Sequence, residues 1–187
     1  MITPPLKKVE FILYGSFART YKGHGTDRAL LGGIMGFSTD DMRIRNSFDI
    51  YSVGMDIGFR FIWSKGKVDP NTVDIHMVNE QGQEMTVRGE SLGGGKVRIV
   101  EINHVKVDFT GEYSAIIVIH QDTPGVVAYI TRCLSERNIN IAFMRLFRES
   151  KGTTAYTIVE SDGHLPEDIV ESIHRNTNIH DVMVVQM

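Results

Sequence analysis

The stretch Ala115-Ile116-Ile117-Val118-Ile119-His120-Gln121-Asp122-Thr123-Pro124-Gly125 decides the fold of the C-terminal part of this chain. The run from Ala115 to Ile119 is apolar throughout and mostly β-branched, so it reads as a strand buried on both faces. Asp122-Thr123-Pro124-Gly125 ends it in a turn. Val127, Ile130 and Leu134 then share one face of a helix predicted over residues 126–136. Residues 139–147 and 153–160 read as strands, with Lys151-Gly152 as the hairpin turn between them. Pro166 suits the first turn of a helix running through Ile169, Val170 and Ile173, and residues 182–185 form a last strand. The order is β-α-β-β-α-β, the split-βαβ pattern.

N-terminal to this unit the composition changes. Fifteen of the 18 glycines fall at or before Gly111, which leaves Gly125, Gly152 and Gly163 after it. The shift predicts two domains, 1–111 and 112–187, with a border near Thr110-Gly111-Glu112. Residues 9–14 read as a strand ending at Gly15. A glycine-punctuated turn, Lys22-Gly23-His24-Gly25-Thr26-Asp27, leads to a helix through Ala29, Leu30, Ile34 and Met35, with Thr26 or Asp27 as its cap. Gly32 and Gly33 weaken that helix and imply close backbone packing. A second helix is expected over about residues 46–55, with Phe48, Tyr51 and Met55 near one face. Residues 59–63 follow as a strand, then a loop through Asp69-Pro70-Asn71. Residues 72–78 and 84–89 alternate as a hairpin around Gln81-Gly82-Gln83, and residues 96–102 alternate again after Ser91-Leu92-Gly93-Gly94-Gly95. The fold class is α+β, a mostly antiparallel sheet domain followed by a ferredoxin-like βαββαβ domain.

Composition excludes several function classes. Lys plus Arg is 20 and Asp plus Glu is 23, a formal charge of -3. That balance speaks against a dedicated nucleic-acid surface. No stretch has the roughly 18 continuous apolar residues of a membrane span. Residues 1–10 hold no apolar run behind their lysines, so no signal peptide is expected. The single cysteine, Cys133, excludes a disulfide framework and an all-cysteine metal cage within this chain. One reduced thiol and no export signal predict the cytosol. The histidines at 76, 104, 120, 164, 174 and 180 show no metal-ligand spacing, and the glycines at 93–95 precede a strand, which excludes a dinucleotide fingerprint.

The C-terminal unit resembles an ACT domain, a small amino-acid-sensing module, through Asp122-Thr123-Pro124-Gly125 and Asn138-Ile139-Asn140-Ile141. The resemblance implies a small ligand, often an amino acid, near Asp122, Pro124, Gly125 and Asn140 at an interface between two such domains. A turn at Gly125 lets backbone approach, and the helix start offers N–H groups to a carboxylate. The first domain resembles the β chain of iron–sulfur-dependent L-serine dehydratase. The motifs are Tyr14-Gly15-Ser16-Phe17-Ala18-Arg19-Thr20, Lys22-Gly23-His24-Gly25-Thr26-Asp27, Asp69-Pro70-Asn71-Thr72 and Ser91-Leu92-Gly93-Gly94-Gly95, in that order. The resemblance departs at two places. Family β chains begin with a further segment that includes Ser-Ser-Ser-His-Thr, which has no counterpart before Val9, and His is expected where Asp69 stands. The same pair of domains also resembles the regulatory half of some phosphoglycerate dehydrogenases, which implies the alternative of a non-catalytic amino-acid sensor.

The serine dehydratase resemblance implies conversion of L-serine to pyruvate and ammonia with a [4Fe–4S] cluster as Lewis acid. Such a cluster needs several cysteines at one site. One cysteine here implies that the cluster belongs to a partner α chain. The resemblance implies His24 as base or substrate contact, because imidazole titrates near neutral pH. It places Lys22, Thr26 and Asp27 beside it, and Asn71, Thr72, Gly93 and Gly94 in substrate binding. Self-association through the ACT domains and an amino-acid ligand are the other partners implied. No metal ligand is expected on this chain.

Overall fold

The computed structural model describes residues 5–50, 55–62, 68–110, 112–148 and 150–185. Trp63, Tyr51 and Gly111 lie outside them. The chain divides into two compact units, Ile2–Glu90 and Ser91–Met187.

In the first unit, β1 (Leu6–Tyr14) lies between β2 (Asp56–Ile62), which runs parallel to it, and the antiparallel β3 (Thr72–Asn79). β4 (Glu84–Gly93) pairs antiparallel with β3. The hairpin between them closes on Asn79, which is fully buried and accepts the Gln83 N–H on its side-chain oxygen at 2.8 Å. Strand pairing is thus mostly antiparallel, with β1·β2 as a parallel pair. A parallel pair needs a crossover. Here it runs through α1 (Gly15–His24), α2 (Thr26–Ile34), a 3₁₀ turn (Met42–Asn46) and the one-turn α3 (Ser47–Ile50).

Val9, Phe11 and Leu13 alternate on one face of β1 and are fully buried with Ala18 and Val73. Phe17, Tyr21, Leu30 and Ile34 of the helices pack onto them. Phe11 stacks on Phe59 at 5.0 Å, and Tyr21 meets Phe61 at 4.5 Å.

Two local expectations are corrected here. Residues 15–24 are helical, because Gly15 at φ +52° turns the chain out of β1 and residues 16–22 carry no breaker. His24 is therefore the last residue of α1 rather than part of the expected glycine-punctuated turn. Neither Thr26 nor Asp27 caps α2: Gly25, left-handed at φ 68°, ends α1 and is itself the cap position of α2, with no side-chain cap bond. Of the helix expected over about 46–55, residues 47–50 are helical and follow a 3₁₀ turn at Met42–Asn46, and residues 51–54 lie outside the described residues. Gly32 is closely packed, since a Cβ there would lie 3.0 Å from Ile44 Cγ1, whereas Gly33 faces open space.

The second unit begins in β4 and holds β5 (Lys96–Ile102), β6 (Val105–Thr110), β7 (Ser114–Gln121), α4 (Val126–Ser135), β8 (Ile141–Arg148), β9 (Thr154–Ser161), α5 (Ile169–His174) and β10 (Ile179–Val185). β6 was not expected from the sequence. Asn103 and His104, both at positive φ, join it to β5 in a two-residue turn that lacks the usual glycine. The four-stranded sheet has the order β10-β7-β9-β8, all antiparallel, as the split-βαβ pattern requires. β7 and β9 are central and buried on both faces, which explains the unbroken apolar run that marks β7.

Val126, Ile130, Cys133 and Leu134 form the inner stripe of α4 and pack with Ile116, Val118, Val159, Ile169 and Ile173. Pro166 precedes α5, and its carbonyl accepts the Ile169 N–H at 3.1 Å. β6 contacts β8, which places β5 and β6 in this unit although the composition shift falls near Gly111.

Candidate functional site

α1 and α2 meet end to end at Gly25. The C-terminal end of α1 carries Lys22 and His24, and the first turn of α2 carries Asp27. This arrangement suits both helix dipoles, with cations at a negative end and an anion at a positive one. Lys22 and His24 are exposed, and Thr26 and Asp27 are half-buried. Asp27 Oδ1 accepts the Arg28 N–H at 2.9 Å. Gly25 supplies no side-chain cap to α2, and the Arg28 N–H is taken by Asp27, whose carboxylate stands at the same helix start.

Asn71 and Thr72 lie at the other end of α1. The Pro70 carbonyl accepts the Phe17 N–H at 3.2 Å, filling one of the helix's free N-terminal donors. Gly15 lies so close to Pro70 that a Cβ would come within 2.7 Å of its Cα. Asp69 organises the loop: its side chain accepts the Asn71 N–H at 3.0 Å and its carbonyl accepts the Thr72 hydroxyl at 2.7 Å. α1 spans roughly 14 Å at 1.5 Å per residue. The structure therefore separates Asn71 and Thr72 from Lys22, His24, Thr26 and Asp27. Gly93 and Gly94, with Gly95, form a turn of consecutive positive φ angles, and nothing lies within 4 Å of a Cβ added at any of them.

Beside the N-terminal end of α1 sits a buried polar cluster. Asp74, 4% exposed on β3, receives Arg88 of β4 in a two-pronged pair, Nε at 2.6 Å and the second guanidinium nitrogen at 2.7 Å. Tyr14, which occupies the cap position of α1, donates to the same carboxylate at 2.7 Å. Burial pushes the Asp74 carboxyl upward, but Arg88 and the Tyr14 hydroxyl outweigh it and hold it below the usual carboxylate value. Burial first, then Asp74, raises the Tyr14 phenol. Tyr14 opens the Tyr14–Thr20 motif, but no motif marks Asp74 or Arg88. The available signal is the hairpin register, in which Asp74 falls opposite Arg88.

In the second unit, Asp122 holds the β8–β9 turn. One oxygen accepts the Gly152 N–H at 2.9 Å and an Arg148 nitrogen at 3.2 Å. The Gly152 N–H, against a smaller effect of burial and helped by Arg148, lowers its carboxyl. Gly125, at φ 91°, opens α4 without a side-chain cap, and Pro124 is exposed. Asn140 donates to Asp162 at 2.8 Å and lines a groove of about 430 Å³ with Thr131, Ser135, Asn138, Ile139 and Ile141. These two parts lie at opposite ends of the sheet, because Ile141 pairs with Ser161 whereas Gln121 pairs with Thr154. Roughly 20 Å of strand separates them.

Cys133 is buried in α4. Among the described residues, no group of three or more His, Cys, Asp or Glu side chains is placed to hold a metal ion. The donor set of this chain does not fit an iron–sulfur cluster, which is held by several thiolates. No helix of the described residues is long and apolar enough to cross a membrane.

A split-βαβ module of this strand order, preceded by a separate α/β unit, defines the class as a chain with a C-terminal ACT domain, and residues 114–178 match the ACT domain family. Residues 2–54 match the serine dehydratase beta chain family. The chain is 38% identical over 170 residues to the "Probable L-serine dehydratase, beta chain" of Bacillus subtilis, covering 90% of this chain and 76% of that protein. It is 40% identical over 171 residues to the "L-serine dehydratase, beta chain" of Peptoniphilus asaccharolyticus, covering 89% and 75%. It is also 38% identical over 90 residues to the D-3-phosphoglycerate dehydrogenase of Bacillus subtilis, covering 48% of this chain and 17% of that enzyme. The chain belongs to the L-serine dehydratase β chain family.

Proposed function

We propose that this chain is the β subunit of an iron–sulfur L-serine dehydratase, which works only with a cysteine-bearing α chain to convert L-serine to pyruvate and ammonia. The carrying observation is its likeness to two L-serine dehydratase β chains across about nine-tenths of its length. Its single, buried cysteine supports a cluster held by the partner. When bound to the α chain, the cluster supplies Lewis acidity toward the substrate oxygens.

This chain's own residues contribute binding and proton handling. On this reading Lys22 and His24 hold the substrate carboxylate, and His24 moves the proton. Thr26 and Asp27 shape that turn. Asn71, Thr72, Gly93 and Gly94 belong to contacts with substrate or with the α chain that need the assembled enzyme, since one chain does not bring Asn71 and Thr72 to His24. The reading divides the chain functionally at about residue 111, supported by the start of the ACT match at residue 114. It places the protein in the cytoplasm, where a free thiol persists.

The ACT domain is proposed to take an amino acid and to drive self-association. Asp122, Pro124 and Gly125 stand at one end of the sheet and Asn140 at the other. A ligand touching both sets therefore bridges two copies. Anaerobic reconstitution of the α and β chains with iron and sulfide, followed by a pyruvate assay, tests the enzyme reading. The second reading, a sensor without catalysis, is favoured by the match to phosphoglycerate dehydrogenases over about half of the chain. Equilibrium dialysis showing L-serine binding, with no pyruvate formed in the reconstituted mixture, would select it.

A further inference from the structure

Glu160 lies on β9 in the second unit and is 5% exposed. Its Oε1 is buried and has no hydrogen-bond partner among the described residues. The Thr110 backbone N–H, at the end of β6, donates to its carboxylate. Its neighbours across the sheet are Ala115 on β7 and Phe143 on β8, neither of which offers a polar side-chain group.

The charged groups around Glu160 come from four segments. Arg145 on β8 attracts an ionised carboxylate, but its guanidinium also donates to the Asp108 carbonyl and lies 3.6 Å from the Asp108 carboxylate on β6. Asp108 is in turn held by Arg98 on β5 at 2.8 Å. Glu112, just past β6, pairs with Lys96 at 2.7 Å. Burial is the largest influence on Glu160 and raises its carboxyl above the ordinary glutamate value. Arg145 and the Thr110 N–H oppose this, and Asp108 and Glu112 add to it.

We propose that Glu160 is a proton-operated catch between β6 and the ACT sheet: protonated, it stays buried against the end of β6, and ionised, it opens that end to water. A buried carboxylate oxygen without a donor is costly once charged. The nearest relief is solvent, reached by parting the end of β6 from β9. The folded carboxyl titrates above the unfolded one. Its stabilising contribution is therefore complete below the unfolded value and is lost as pH rises through the folded value. Opening is local rather than global, because β7 and β9 are buried on both faces. The catch joins the ACT domain to a stretch that neither family match covers, and it depends on neither the enzyme reading nor the sensor reading.

Hydrogen exchange of the full chain tests it, with the amides of β6 followed over about pH 5 to 8 and corrected for intrinsic exchange. Protection near Thr110 is expected to fall by up to about tenfold per pH unit between the ordinary glutamate value and the raised folded one, and to level off above it, while β7 amides hold steady. Glu160→Gln, neutral and of the same shape, is expected to abolish the fall. Flat wild-type protection, or an equal fall in Glu160→Gln, overturns the proposal. Where Glu160→Gln does not fold, the ¹³C shift of the wild-type Glu160 carboxyl decides: titration above the ordinary glutamate value supports the catch, and titration at or below it overturns it.

Discussion

Tyr14 donates a 2.7 Å hydrogen bond to Asp74 across 60 positions of sequence, and this bond ties the start of α1 to β3. Tyr14 is the last residue of β1, and the same carboxylate carries the two-pronged Arg88. Tyr14→Phe is expected to cost about 1 kcal/mol, the usual net value of one hydrogen bond. Asp74→Asn leaves a largely buried guanidinium poorly matched. Since the Arg88 side chain is still 26% exposed, the loss is expected near 3 kcal/mol, the low end for a broken buried pair. Chemical denaturation of the two variants checks both values and their order.

Acid should unfold the first unit partly through this cluster. The Asp74 carboxyl is held below its unfolded value, burial notwithstanding, by Arg88 and Tyr14. Its stabilising contribution is therefore present above the unfolded value, about 3.8, and is lost as pH falls through the folded one. Denaturation midpoints of wild type and Asp74→Asn are expected to converge as pH is lowered into that range and to differ most near neutrality. Parallel curves down to the lowest accessible pH would rule the account out.

Gly15 and Gly25 both have positive φ, at 52° and 68°, but only Gly15 presses on another segment. Gly25→Ala is expected to cost about 1 kcal/mol from backbone strain alone. Gly15→Ala adds a Cβ 2.7 Å from the Pro70 backbone, so a loss of roughly 3 kcal/mol is expected once overpacking is included. Thermal melts of the two variants side by side give the comparison.

The ACT-like unit was legible because its signals are local. An apolar run, a Pro-Gly turn and a helical stripe each name one element, and the order names the topology, although Val126 rather than the expected Val127 joins Ile130 and Leu134 in the core. The first unit was less legible where tertiary packing decides. α1 is hidden because Gly23 and Gly25 read as a loop, although Gly23 sits inside the helix and Gly25 ends it. β6 is hidden because Asn103 and His104 adopt positive φ without glycine. The sequence motifs name candidate residues but not their distances, and α1 holds Asn71 and Thr72 apart from His24. Asp74–Arg88 and Glu160 carry no motif at all. They emerge only from register and burial.

The Lys22 and His24 side chains are exposed and make no hydrogen bond among those described, Lys22 lying 5.9 Å from the centre of the Tyr21 ring, so their substitution should cost little stability. In the reconstituted two-chain enzyme, Lys22→Gln is expected to raise KM about tenfold through loss of a carboxylate contact. His24→Asn is expected to lower kcat by about 100-fold if it moves a proton. Steady-state kinetics with unchanged melting temperatures would support these roles. Unchanged kinetics in both variants would return the two residues to a dipole-balancing role at the end of α1.

The central claim is that this chain acts as one half of an L-serine dehydratase whose cluster resides on the other half. Pyruvate formation from L-serine, measured anaerobically for the α chain alone, this chain alone and their mixture after iron and sulfide reconstitution, tests it most directly. The account predicts turnover in the mixture only, with iron and sulfide recovered on the α chain. Turnover by this chain alone, or a fully loaded mixture that makes no pyruvate, would contradict it.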